Sequence, residues 1–350
     1  MSASTYRVVR SSRASRIGLA VGALLVAGLA VLPYAAGSGT LRTLISFLTL
    51  VTVAQMWNLL AGYAGLLSVG QQAYIGLGAY ALWVLADEVG VHPFVAVPLA
   101  GLIVGLIALP TAGLAFRLRG GYFAIGTWVI AEVYRLVIAN IQAVGGGSGV
   151  TITAASHIAR ATRQNVTYWL ALAVAVGTIG LVYGILRSRL GLALTAIRDD
   201  ETSAESLGVH VFRTKLWVYV LSSFGCGLAG AVIYLNLLRI QPDAAFSVNW
   251  TALMIFVVVI GGVGTIEGPI IGAILYFILQ ETLADYGSWY LILVGLVAVV
   301  ITLKAPRGLW GLLTERRPVH VFPLQRHVRI DASGEIPPVS GRPRSACADE

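Results

Sequence analysis

Residues 187–215 read RSRLGLALTAIRDDETSAESLGVHVFRTK. This is the longest charged segment between two apolar stretches, in a chain of which only 11% is charged. At helical spacing Leu190, Leu194, Ile197, Ala204 and Leu207 fall roughly on one side, which predicts an apolar face. Asp199 or Asp200 is suited to cap a helix N-terminus and divides the segment into two short helices. Gly208 is suited to end the second helix in a left-handed conformation. Two capped helices between membrane spans are fit to dock onto another protein. The competing reading is a solvated loop whose basic residues serve only membrane orientation.

On both sides of this loop the 350-residue chain is strongly apolar: 57% of it is hydrophobic and the mean hydropathy is +0.82. A bilayer crossing takes about 20 apolar residues. Before the loop such stretches run at 17–36, 41–60, 62–86, 94–116, 122–141 and 166–186; after it they run at 216–238, 250–264, 269–284 and 288–303. The expectation is an all-α polytopic membrane protein with about 8–10 transmembrane helices. Five glycines between Gly62 and Gly78 predict a broken or re-entrant element at 62–86, and a second glycine-broken hairpin turns at Thr265, Ile266 and Glu267. The organisation is then a basic N-terminus at 1–16, a transmembrane domain at 17–304 with the loop at 187–215, and a polar, proline-rich tail at 305–350 that is expected to be disordered.

The net charge of +8 follows from topology and implies no nucleic-acid partner. With ten crossings and both termini cytoplasmic, nineteen of the 24 Lys and Arg fall inside, four fall outside, and Arg135 lies within a span. Cys226 lies in a span and Cys347 in the tail, so neither a disulfide nor a metal site is expected. The five histidines show no ligand spacing and no catalytic arrangement stands out, so no enzyme and no bound cofactor is expected. The only lysines, Lys215 and Lys304, do not sit in a phosphate-binding loop, so this chain is expected to draw energy from a partner or from an ion gradient.

Four blocks carry a resemblance. They are SRLGLALTAIRDDETSAESLGV in the loop, GYAGLLSVGQQAYIGLGAY at 62–80, LRGGYFAIGTWVIAEVYRLV at 118–137 and IGGVGTIEGPIIGA at 260–273. Taken in chain order, these blocks resemble the LivM-like permease subunits of branched-chain amino acid ABC importers, over roughly residues 41–303. The resemblance implies an inner-membrane permease bundle paired with a homologous permease, two ATPase subunits that hydrolyse the ATP, and a periplasmic binding protein. The loop would be the ATPase-coupling segment, with Leu194, Ile197, Asp199, Glu201, Ala204, Leu207 and Gly208 as its working residues. Ala204, Leu207 and Gly208 are expected at the core of that contact, and Asp199 and Glu205 nearer its rim. Urea or short amides are alternative solutes, and a self-contained ion-coupled carrier is the alternative class.

Four residues are candidates for the translocation path. Gln71 and Gln72 are neutral hydrogen-bonding groups in an apolar, broken element; they either line a polar path or satisfy backbone groups freed at the break. Glu132 lies about 15 Å into its span, with Arg135 one turn further. At i,i+3 the two are placed to pair, as a structural ion pair or on the path.

Overall fold

The structure, a computed structural model, describes residues 6–9, 13–283, 289–305, 308–316 and 327–330. The ten apolar stretches form helices at their expected places: α1 (Arg13–Val31), α2 (Ser38–Asn58), α3 (Gln72–Trp83), α4 (Pro93–Ala115), α5 (Gly121–Asn140) and α6 (Arg160–Arg187) before the loop. The loop is α7 (Arg189–Asp199) and α8 (Glu201–Ser206). Then follow α9 (Val211–Leu237), the single turn α10 (Pro242–Ala245), α11 (Val248–Gly261), α12 (Glu267–Leu283), α13 (Trp289–Lys304) and α14 (Gly308–Arg316). Among the described residues seven helical segments are long and apolar enough to cross a membrane, the last running from α13 into α14. The chain is an all-α polytopic membrane protein.

Two helices organise the bundle. α9 packs against α4, α3 and α2 because its middle, SSFGCGLAGA at 222–231, is built from small side chains. A Cβ on Gly78 would run into the Gly227 carbonyl, and one on Gly230 would run into that of Ile75, so the α3 and α9 backbones touch. Such close approach replaces the hydrophobic drive that lipid does not supply. α2 is surrounded on all sides by this packing, and its buried Thr49 and Thr52 hydroxyls donate to the carbonyls of Ile45 and Leu48, one turn back. α5 and α6 are peripheral.

Both expected breaks are present. α2 continues through a π-helical turn, Leu59–Tyr63, and the chain then runs without regular structure until α3 begins at Gln72. This segment turns back into the bundle: Ser68 O accepts from Trp57 Nε1 at 2.8 Å, and Val69 N donates to Thr127 Oγ1 at 3.1 Å. The second break is the turn 262–266 between α11 and α12. It lies against the end of α2 and beside α7, so both breaks meet at the loop end of the bundle.

At the far end, β2 (Val150–Thr151) pairs with β3 (Arg239–Ile240). Asp87 fastens the same loop, its Oδ1 accepting from Thr153 N at 2.7 Å, from Ala154 N at 2.9 Å and from the Thr153 hydroxyl. Within 305–350 the described residues comprise α14, which packs on α11 and α12, and β4 (His327–Ile330), which pairs antiparallel with β1 (Tyr6–Val9).

Candidate coupling site and translocation path

The loop owes its shape to local capping. Ser188 Oγ accepts from Leu190 N at 3.1 Å to start α7, and Asp200 Oδ1 accepts from Ser203 N at 2.6 Å to start α8. Of the two aspartates proposed as the divider, Asp200 is therefore the cap. The bonds from the Ser203 amide and hydroxyl hold its carboxyl below the usual carboxylate range. Gly208 ends α8 at φ +85°, and Val209 N closes on Ala204 O at 3.1 Å.

The apolar face of the loop turns inward, with one exception. Leu194 is buried in the main core, while Ile197, Ala204 and Val211 form a satellite cluster that seats the two helices on the start of α9. Helices this short gain stability chiefly by burying such a face. Ala204, expected in the core of a partner contact, is instead 1% exposed inside the chain's own packing. Leu207 is 82% exposed and Leu192 70% exposed. Asp199, Glu201, Glu205 and Gly208 share that outer surface, and Glu201 accepts from Lys215 Nζ at 2.5 Å.

Arg198 takes a different direction. Its guanidinium Nη1 donates to Gly62 O, in the π turn of α2, at 2.6 Å. Between the loop, the 64–67 stretch and the α4–α5 turn lies a cleft of about 430 Å³ lined by Leu67, Phe116, Arg119, Glu201 and Lys215, among others.

The candidate path residues fall into two separate groups. Gln71 and Gln72 are buried at the start of α3. Gln71 Oε1 accepts from Cys226 Sγ at 3.5 Å, and Gln72 Oε1 accepts from the Thr251 hydroxyl, whose oxygen in turn accepts from Gln72 N at 3.3 Å. These bonds tie the break to α9 and α11. Glu132 and Arg135 do pair, with Arg135 Nε donating to Glu132 Oε1 at 2.8 Å. Arg135 Nη1 also donates to Asp243 Oδ1 on α10 at 2.5 Å, which makes the pair a triad. Its carboxylates lie on the bundle's outside, with side-chain exposures of 45% for Glu132 and 83% for Asp243. No direct bond links the two groups among the described residues.

Sequence reasoning missed Asp243, Asn58 and the role of Arg198. Asp243 follows Pro242 in a short polar stretch and carries no spacing signal. Asn58 is the last of four buried polar residues spaced by three in an apolar span, after Thr49, Thr52 and Gln55, and that stripe was the signal that could have found it.

A family model described as "Branched-chain amino acid transport system / permease component" matches residues 39–303. The chain belongs to this family. The match takes in nearly all of α2 through α13, both breaks and the two-helix loop. Among curated relatives, the high-affinity branched-chain amino acid transport system permease protein LivM of Escherichia coli (strain K12) is 26% identical over 313 residues, 82% of this chain and 73% of that protein. LivM of Salmonella typhimurium is 27% identical over 278 residues, 72% of this chain and 65%, just under two thirds, of that protein. The ribose import permease protein RbsC of Haemophilus influenzae is 25% identical over 149 residues, 39% of this chain and 46% of that protein. No solved structure matches the chain.

Proposed function

We propose that this chain is an inner-membrane permease subunit of an ABC importer that moves branched-chain or related small amino acids. The observation that supports it most is the family match over 39–303, which spans the bundle and includes a compact two-helix element at one end. In this reading the exposed surface of α7 and α8, centred on Leu207 and flanked by Asp199, Glu201, Glu205 and Gly208, receives an ATPase subunit. Leu194, Ile197 and Ala204 serve it from beneath by fixing the loop on the bundle. ATP is hydrolysed by that partner. A homologous permease completes the path, and a periplasmic binding protein delivers the solute at the far end. The coupling loop and both termini are cytoplasmic; the pairing of β1 with β4, which requires the two terminal segments to share one side, supports this.

Two observations bear on the path. A half-exposed carboxylate midway along a peripheral span is costly against lipid, so the Glu132, Arg135 and Asp243 triad is better placed against a partner permease or a wet path. Gln71 and Gln72 act as the polar anchor of the re-entrant segment. Amino acids are favoured over sugars because the LivM alignments cover most of this chain, whereas that with the ribose permease covers 39% of it.

The test is uptake of radiolabelled leucine by proteoliposomes holding this chain with its cognate permease and ATPase subunits, ATP inside and binding protein outside. ATP-dependent accumulation that unlabelled isoleucine and valine inhibit is the expected result. Uptake driven by an ion gradient without ATP would replace the importer with a carrier, and inhibition by urea instead of valine would reassign the solute.

A further inference from the structure

We infer that Arg198 is the transmission residue of the cycle, passing motion of the coupling loop to both broken elements of the bundle. The inference rests on the importer reading above. Arg198 lies in the last turn of α7, and its side chain reaches away from its own helix to the end of α2. Gly62 O, which it grips at 2.6 Å, belongs to a terminal turn whose carbonyls lack intrahelical donors and carry the negative end of the helix dipole. π turns of this kind recur at functional sites because they free backbone groups for other uses.

The contact extends in two directions from there. Gly65, at φ +68°, lies beside Arg198: a Cβ built there would sit 3.6 Å from the arginine Cα, at ordinary contact distance. Gly65 opens the irregular segment that ends at Gln71 and Gln72, so a displacement of α7 acts on the backbone leading to those two side chains. On the other side, a Cβ on Gly264 would lie 3.1 Å from Arg198 Nη1 and 3.2 Å from Gly62 O. Gly264 belongs to the α11–α12 turn, which Asn58 of α2 holds by two further hydrogen bonds. One side chain of the loop thus meets the π turn, the re-entrant segment and the second break. Leu194 and Ile197, the buried side chains of α7, only pack.

A capping arginine and a transmitting arginine differ in what their loss changes. A cap contributes to assembly and melting temperature; a transmitting residue sets how much solute moves for each ATP hydrolysed. The test uses the reconstituted complex with leucine-loaded binding protein, measuring leucine uptake and ATP hydrolysis in the same vesicles. Arg198→Ala should assemble and hydrolyse ATP at near wild-type levels while uptake per ATP falls about tenfold, within the range of ordinary coupling energies. Arg198→Lys keeps the charge but not the planar fork, and should lie between, about threefold below wild type. Arg189→Ala, on the same helix but outside these contacts, should keep the wild-type ratio. An unchanged ratio in Arg198→Ala, with or without a lower melting temperature, overturns the inference. Should the alanine variant fail to accumulate, the lysine variant decides: a reduced ratio at unchanged melting temperature supports it, and a wild-type ratio overturns it. A wild-type complex without ATP-dependent uptake would instead bring down the importer reading, and this inference with it.

Discussion

Asn58 holds the α11–α12 turn with both ends of its amide: Nδ2 donates to Thr265 O at 2.8 Å and Oδ1 accepts from Gly264 N at 2.9 Å. The residue is fully buried, and Gln55, one turn earlier, adds a bond from Nε2 to Ile266 O at 2.5 Å. A turn that breaks a membrane helix exposes backbone groups that lipid cannot satisfy, and these two side chains satisfy them. Asn58→Leu keeps the branched outline of the side chain but leaves Gly264 N–H and Thr265 C=O unpaired, each at about 1–3 kcal/mol. The variant should melt several degrees lower in detergent than wild type. An unchanged melting curve would mean that the turn finds other partners.

The triad of Glu132, Arg135 and Asp243 separates a structural role from a transport role. Glu132→Gln and Arg135→Gln should each reduce folded yield, since each leaves a charge short of its partner within a span, and the double variant should regain part of it. Asp243→Asn should have little effect on yield, because its carboxylate is largely in solvent. Normal yield with lost uptake in both single variants at 132 and 135 would assign these residues to the path.

What was legible in the sequence depended on range. Ser188, Asp200 and Gly208 act on groups within three to five residues of themselves, so the two-helix form of the loop follows from local chemistry. The orientation of that loop does not. Ala204 and Leu207 share a helical face in projection, yet Ala204 packs on Ile197 and Val211 while Leu207, beside the Gly208 cap, projects into solvent. The partner that decides this, Val211, belongs to the next span. Glycines show the same limit. Gly101 and Gly105 on α4 and Gly180 and Gly184 on α6 have the same i,i+4 spacing, yet Gly101 meets Leu228 and Phe224 of α9 whereas Gly180 and Gly184 face open space. Asn58 and Arg198 find partners more than a hundred residues away, and no local pattern names those partners.

The two ends of the bundle give a direct test of orientation. Ser148 and Ala244 are exposed at the far end, and Ser203 is exposed in the loop of α7 and α8. In a background lacking Cys347, single cysteines at 148 and 244 should react with an impermeant maleimide applied to intact cells. A cysteine at 203 should react only after the cells are opened. External labelling at 203 would invert the topology and move the proposed ATPase surface to the wrong side.

Acid should loosen the loop through Asp200. Its carboxyl is held below the ordinary value by the Ser203 bonds, so its contribution to folding is present above the unfolded value of about 3.9 and is lost as pH falls through the lower folded value. Asp200→Asn keeps the capping oxygen without the titration. Amide exchange at Ser203 should therefore accelerate as pH falls below about 4 in wild type, once corrected for intrinsic rates, and stay flat in the variant. Parallel profiles would remove Asp200 as the cause.

Leu207 and Ala204 make opposite predictions from one loop. Leu207 is 82% exposed, so Leu207→Arg adds a charge to a solvated surface and should leave expression and melting temperature within about 0.5 kcal/mol of wild type. If an ATPase groove covers that surface, the same charge is desolvated and unpaired in the complex, at a cost of several kcal/mol. The ATPase should then fail to co-purify, and uptake should vanish at normal permease levels. Ala204→Arg places a long charged side chain into the buried cluster of Ile197 and Val211 instead, and should lower the folded yield before any question of docking arises. Leu192→Arg, on the exposed side of α7, reports how far the contact extends beyond α8. Wild-type uptake and co-purification in both Leu207→Arg and Leu192→Arg would show that the partner does not bind here, and would return the loop to a solvated connection whose charges serve orientation alone.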